Sequence, residues 1–214
     1  MKGITLLGHH SYNDFHLLLT KKEIGAPAVK VKKIDIEGAD SALDLTDFFG
    51  EPKYEDVMHK FEFRTLVAQS DFLNLFSTIK NAIHGKKGRI VFDDDPSFYY
   101  VGRCHVSSFT NEKNVGIVSV ECDCEPWKYK MAATVKQFTI TDSATVTLPN
   151  SKKRTVPEVL IETSGSMNLV YGYNVWDLGS GVYVLPDLEL LAGNNTVTVT
   201  GTGKITFTYQ EASL

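Results

Sequence analysis

A single stretch of this sequence has the periodicity of an amphipathic helix, so strands must bury most of the other apolar side chains. Within residues 71–84, five apolar residues recur at helical spacing and form one stripe: Phe72, Leu75, Phe76, Ile79 and Ile83. Ser70 or Asp71 can cap the start, and Gly85 stands where a left-handed residue often ends a helix. We predict that this helix packs on a sheet of its own chain; a groove for a partner is the alternative use of the stripe.

Residues 1–130 are otherwise typical of a mixed β-domain. Residues 60–67 alternate apolar and polar side chains, which predicts a strand with one buried face. Residues 29–37 alternate too, but their frame slips by one residue at Lys32, which predicts a β-bulge. Further strands are expected at residues 4–7, 15–19, 89–92, 98–103 and 115–124.

The composition of the chain changes after residues 125–130, where Pro126 and Trp127 interrupt the alternation of apolar and polar residues. Residues 131–214 are rich in Thr, Val, Asn and Gly and contain no helical periodicity. Seven short strands are expected there, at 135–140, 145–148, 158–162, 167–170, 181–185, 195–199 and 204–209. Short strands separated by turn residues predict a β-sandwich. The fold class is therefore mainly β, with domains 1–130 and 131–214.

Charge and hydropathy exclude several classes of partner. The formal charge of −4 is shared evenly, with 17 Lys and Arg against 19 Asp and Glu in residues 1–130, and 5 against 7 in residues 131–214. Neither half has the basic excess that a nucleic acid backbone attracts. No apolar run approaches the roughly 20 residues that cross a bilayer, and the first residues do not have the pattern of a signal peptide.

Two clusters of possible metal ligands occur. One consists of His9, His10, Asp14 and His16, whose spacing matches no zinc signature. The other consists of Cys104, Cys122 and Cys124, which could meet on neighbouring strands but lack a fourth ligand. We interpret the first as adventitious and the second as buried, reduced thiols.

Two charged turns resemble ligand-binding loops only in part. Asp93-Asp94-Asp95 lacks the central Gly and distal Glu of a calcium loop, so a hairpin turn is the simpler interpretation. Residues 85–88 (Gly-Lys-Lys-Gly) lack the remaining residues of a P-loop and predict an exposed basic tip after the helix. No catalytic frame accompanies these clusters. We expect no enzyme activity, no catalytic, cofactor or metal residues, and no cofactor; ligand-binding residues are unknown.

Aromatic residues of the second domain allow one binding hypothesis. Tyr171, Tyr173, Trp176 and Tyr183 could form a platform for a sugar, although aromatic side chains of a small sandwich usually belong to its core. A glycan-binding adhesin is therefore the alternative function.

Read in order, several segments resemble the distal tail proteins (Dit) of long-tailed phages and prophages. The resemblance is carried by residues 10–19 (HSYNDFHLLL), 31–38 (VKKIDIEG), 60–63 (KFEF), 85–96 (GKKGRIVFDDDP), 98–103 (FYYVGR), 124–129 (CEPWKY) and 193–209. The resemblance depends on the order and spacing of these segments, since none of them is specific to the family by itself. Tyr54 also matches the family. The pair Glu55-Asp56 that follows it departs from the family, which has an Asn-Arg type of pair there.

The resemblance implies a two-domain structural subunit. Residues 1–130 would form a ring, typically a hexamer, and residues 131–214 a galectin-like β-sandwich facing outward. The ring would join the tail tube to the tail tip or baseplate. Its partners would be further copies of itself, the tail tube protein, the tail-associated tip protein and a receptor-binding protein. It would lie at the virion tail tip after assembly in the host cytoplasm.

Overall fold

The computed structural model describes residues 3–48, 50–112 and 115–214. The chain divides into two compact units, the first running to Lys128 and the second spanning Tyr129–Ser213. This division lies within two residues of the one expected from the sequence. That each unit folds by itself remains a prediction.

The first unit consists of a long antiparallel sheet with one α-helix. Its elements, in chain order, are β1 (Ile4–Leu6), β2 (His9–His10), β3 (Leu17–Ile24), β4 (Lys33–Ile34), β5 (Leu43–Asp44), β6 (Val57–Thr65), a 3-10 turn (Gln69–Asp71), α1 (Phe72–Ile83), β7 (Lys87–Phe92), β8 (Phe98–Glu112) and β9 (Val115–Lys130). The strand order is β2-β1-β7-β8-β9-β6-β3, and β4 pairs with β5 in a separate two-stranded sheet.

Alternation explains the sheet's buried face. In β6 the residues Phe61, Phe63 and Thr65 are buried, and polar or exposed residues lie between them. Val118 and Val120 of β9 repeat the pattern on the neighbouring strand. Each fully buried large apolar side chain contributes roughly 1.5–3 kcal/mol to folding. The strand expected at residues 60–67 is confirmed.

The helix α1 lies where the periodicity predicts it and packs on its own sheet. Phe72, Ile79 and Ile83 are buried, and Leu75 and Phe76 pack against the same core. The Phe76 ring lies 5.2 Å from the Phe109 ring of β8. Asp71 occupies the N-cap position but makes no side-chain capping bond, whereas Gly85 has the expected positive φ of 74°.

Two expectations for the first unit are wrong. Residues 29–37 form no continuous bulged strand, because only the two-residue strand Lys33–Ile34 and an isolated bridge from Val29 to Tyr54 pair there. The irregularity of the sheet lies in β3, between Leu19 and Lys21. Residues 125–130 do not interrupt the strand pattern, since β9 continues through Pro126 and Trp127 to Lys130.

The second unit is a β-sandwich. Its strands are β10 (Thr134–Ile140), β11 (Ser143–Asn150), β12 (Glu158–Glu162), β13 (Met167–Tyr171), β14 (Asn174–Leu178), β15 (Gly181–Val184), β16 (Gly193–Thr200), β17 (Gly203–Tyr209) and β18 (Ala212–Ser213). The two four-stranded sheets have the orders β10-β17-β12-β15 and β11-β16-β13-β14. All seven expected strands are confirmed, and β14 and β18 are additional.

The sandwich core comes from the alternating faces of these strands. Val197 and Val199 of β16 and Ile205 and Phe207 of β17 are fully buried in one cluster. Threonines occupy the intervening positions of β16, as expected for a strand with one face in solvent.

Candidate interaction surfaces

The longest stretch without a buried side chain lies between Leu17 and Val57, within the part of the chain that the structure describes. We call residues 25–56 the arm. Six large apolar side chains of the arm are 40–71% exposed: Val29, Val31, Ile34, Ile36, Leu43 and Phe48. Exposed apolar groups concentrated in one segment are typical of a surface that another chain covers.

The arm is a two-stranded hairpin held mainly by its own backbone. Besides β4 and β5, hydrogen bonds of 2.7–2.8 Å join Lys30 to Lys53, Glu55 to Ala28 and Leu45 to Lys32. An isolated two-stranded hairpin is marginally stable in water at best, because it lacks a core. We therefore expect this hairpin to gain its rigidity from a partner.

The base of the arm, in contrast, is fixed to the sheet. The Gly25 N–H donates to Nδ1 of the buried His59 at 3.2 Å. Burial lowers the pKa of His59, so the ring stays neutral and Nδ1 remains an acceptor. A Cβ on Gly25 would lie 2.7 Å from the Met58 carbonyl oxygen, which restricts this position to glycine.

A basic cleft lies at the end of α1, where the sequence predicts a basic tip. It has a volume of about 480 Å³, and Leu7, Gly8, His9, Ala82, Lys86, Lys87, Gly88 and Arg89 line it. Three exposed cations and no carboxylate contribute to this lining. Lys87 Nζ contacts Glu125 Oε1 at 2.8 Å, and the Arg89 guanidinium lies over the Tyr99 ring at 4.5 Å.

The His and Asp cluster near the N-terminus does not converge on one point. His10 Nε2 lies 3.1 Å from Asp93 Oδ2, and the His10 N–H donates to Asp14. His9 packs against the Phe15 ring, with the two ring centroids 5.5 Å apart. Within the described ranges no three His, Cys, Asp or Glu side chains form a group that could hold a metal. The absence of a metal stays a prediction.

The three cysteines do come together, on β8 and β9. All are free and buried, and Cys122 Sγ lies 2.7 Å from Cys104 Sγ. The hydrogen bond that the Cys122 thiol donates to Cys104, together with burial, raises the pKa of Cys122 strongly. Burial raises the pKa of Cys124 to about 12. Thiols in this state are poor nucleophiles and poor metal ligands.

The aspartates of the 93–95 turn each contact different partners instead of facing a common point. Asp93 accepts a bond from the Gly3 N–H at 2.7 Å as well as from His10. Asp94 pairs with Lys22 and Asp95 with Lys128, both at 2.5 Å. These contacts join the β7–β8 turn to its neighbours and leave no calcium-type arrangement.

The aromatic side chains of the second unit belong mainly to its core. Tyr171, Trp176 and Tyr183 pack against the sandwich core. The Tyr171 hydroxyl lies 2.8 Å from the Glu189 carbonyl oxygen, and the Tyr183 hydroxyl lies 3.2 Å from that of Gly179. Of the four candidates, only Tyr173 is fully exposed. A single exposed ring does not make the platform that the adhesin hypothesis requires.

No helix in the described residues has the length and apolar character needed to cross a bilayer. No protein-family model matches the chain, and no curated protein sequence matches it. A solved structure does match: that of the Dit protein of phage SPP1, with a TM-score of 0.74, 16% identity and coverage of 100% of both chains. The chain has the fold of a phage Dit protein.

SPP1 Dit is described as a paradigm of the hub adsorption apparatus in phages that infect Gram-positive bacteria. Its likeness to this chain extends over both units, although few residues are identical. The mainly β fold with a β-sandwich, expected from the sequence, is thereby confirmed. The arm was not predicted from the sequence, because the alternation in residues 29–37 was interpreted as a bulged strand.

Proposed function

We propose that this protein is a structural hub subunit at the tail tip of a long-tailed phage or prophage, assembling into a ring of six copies. One observation carries the proposal: the fold agrees over its full length with that of a protein described as a hub of a phage adsorption apparatus. A protein with an unrelated function would need to have the same two units in the same order along its chain. Fold alone does not determine function, so the surface must also suit assembly.

The arm supports assembly. It exposes six large apolar side chains on a two-stranded hairpin that has no core in which to bury them. A neighbouring copy that covers the arm would remove this apolar area from water, at roughly 25 cal/mol per Å². A ring uses a heterologous interface, in which the arm of each subunit meets a different surface on the next.

In this role the ring joins the tail tube to the tail tip or baseplate. The partners are the tail tube protein, the tail-associated tip protein and a receptor-binding protein. Assembly takes place in the host cytoplasm, and the protein ends at the tail tip of the virion. The protein has no chemistry of its own in this proposal. Its three cysteines pack in the core of the first unit, and His10 contacts Asp93.

Substitution in the arm tests the proposal. The double variant Ile34→Ser, Ile36→Ser removes apolar area from the hairpin. Both substituted residues are exposed, so no buried residue is changed. We expect light scattering over a concentration series to show the wild-type ring and a variant that remains smaller. Val182→Ser with Val184→Ser is the matched control, since these valines are 60% and 64% exposed in the second unit. An arm variant that assembles as well as the control would contradict the role of the arm.

A further inference from the structure

The arm and the basic cleft have opposite charge. The arm as a whole carries eight carboxylates against four lysines. Its residues 34–52 contain six of the carboxylates and no Lys or Arg: Asp35, Glu37, Asp40, Asp44, Asp47 and Glu51. The cleft contributes Lys86, Lys87 and Arg89; Lys87 pairs with Glu125, and Lys86 Nζ donates to the Asn81 carbonyl at 2.7 Å. Such complementarity steers two surfaces together and fixes which partner is accepted.

Apolar groups accompany the charges on both surfaces. The acidic stretch also carries the exposed Ile34, Ile36 and Leu43, and Leu7 and Ala82 contribute apolar atoms to the cleft wall. In the structure residues 30–41 of the arm are exposed throughout, as are the three cations of the cleft. Both surfaces are therefore available to a second molecule.

We propose that the acidic arm of one subunit docks in the basic cleft of the next copy. This inference rests on the proposed ring and names its interface. Each subunit then carries one arm and one cleft, so the contact is heterologous and can close into a ring. Dissolved ions screen the attraction between the carboxylates and the cations, so the contact weakens as the salt concentration rises.

Complementary charge reversal tests the contact in the full-length protein. One variant carries Lys86→Glu with Arg89→Glu, which changes the net charge of the three cleft positions from +3 to −1. The other replaces four carboxylates of the arm by Lys, at Asp35, Glu37, Asp40 and Asp47, which changes the net charge of residues 34–52 from −6 to +2. Alone, each variant opposes like charges at every contact, so we expect at least tenfold weaker assembly. In an equimolar mixture the subunits can alternate, and every contact again joins opposite charges. We expect the mixture to assemble, and circular dichroism to show that each variant is folded.

The control is Lys152→Glu, which makes the same kind of charge change in the second unit and should assemble as wild type does. If both charge variants assemble alone like wild type, this interface is wrong while the ring proposal stands. Failure of the mixture to assemble, with both variants folded, also overturns the pairing.

A second measurement does not depend on ring formation. A fluorescent peptide with the sequence of residues 32–52 should bind the full-length wild-type protein in low salt and lose at least tenfold in affinity for the Lys86→Glu, Arg89→Glu variant. Binding that is absent, or equal for the two proteins, overturns the docking. If the wild-type chain forms no closed ring yet binds the peptide in this selective way, the ring proposal fails and the arm-to-cleft contact between copies stands.

Discussion

Lys130 Nζ lies 2.6 Å from Glu211 Oε1, although the two residues are 81 positions apart in the sequence. Glu211 is buried, and it also accepts hydrogen bonds from the hydroxyls of Thr134 and Ser151. The Lys130 N–H in turn donates to the Glu211 carbonyl at 3.0 Å. One carboxylate thus connects the start of the second unit to its end.

Replacing this carboxylate should weaken the second unit. Glu211→Gln keeps the shape but removes the charge that three donors share, so we expect a loss of about 1.5–3 kcal/mol in the free energy of unfolding. Urea unfolding followed by circular dichroism measures it. Glu162→Gln is the control: its pair with Lys204 is exposed and 3.8 Å long, and its loss should cost under about 1 kcal/mol.

The pH dependence of the same variant gives a second readout. Burial by itself would raise the pKa of Glu211, but the bonds from Lys130, Ser151 and Thr134 outweigh it and lower the pKa below 4.5. The stabilisation is therefore complete above pH 4.5 and is lost as the pH falls through the lower folded value. The difference between wild type and Glu211→Gln should shrink below pH 4.5; a constant difference down to pH 3 would count against this role.

The division between the units leads to a sharper prediction for fragments. We expect residues 129–214 to fold alone, whereas residues 131–214 should be less stable. The longer fragment keeps the Lys130–Glu211 pair and the Tyr129 hydroxyl, which Lys153 Nζ contacts at 2.7 Å. Thermal unfolding of both fragments checks this. Equal melting temperatures would show that residues 129 and 130 do not belong to the second unit.

Thiol reactivity should distinguish the folded from the unfolded chain. Because Cys104, Cys122 and Cys124 are buried and the pKa values of Cys122 and Cys124 are raised, we expect almost no reaction with a thiol reagent at pH 8. After denaturation without reductant, three thiols should titrate. Fewer than three, or stoichiometric zinc by elemental analysis, would contradict free and unligated cysteines.

Trp176 should contribute to stability and not to sugar binding. Its ring packs against the sandwich core, so Trp176→Ala should cost about 2 kcal/mol, less than for a fully buried aromatic residue. Tyr173→Ala, at a fully exposed position, is the control and should be neutral in urea unfolding. Millimolar binding of a cell-wall saccharide that Trp176→Ala abolishes without unfolding would instead favour the adhesin.

The sequence predicted those helices and strands whose own apolar pattern is regular over their full length. The stripe of α1 and the alternation of β6 each specify a buried face without reference to the rest of the chain. β14 was missed because Asn174 and Asp177 dilute its apolar pattern in a strand of five residues. The strand through Pro126 was missed because a proline in a strand usually marks its end or an edge.

The candidate surfaces were harder to predict than the fold. Alternation in residues 29–37 indicates an extended chain, but it does not tell which molecule covers the apolar side of that chain. Ile34 and Ile36 were therefore expected to lie in a bulged strand of the domain, whereas both are exposed. The Glu211 cluster depends on residues 60 to 81 positions away. Such contacts follow from the sandwich topology and leave no local signal.

The mass of the native assembly tests the central claim most directly. Native mass spectrometry of the full-length protein, over a range of concentrations and with its tail-tip partner added, should show a closed species of six copies. Its mass would be about 143 kDa, six times the 23.8 kDa of the chain, and negative-stain images should show a ring with a central channel. A chain that stays monomeric or dimeric under all of these conditions would contradict the account.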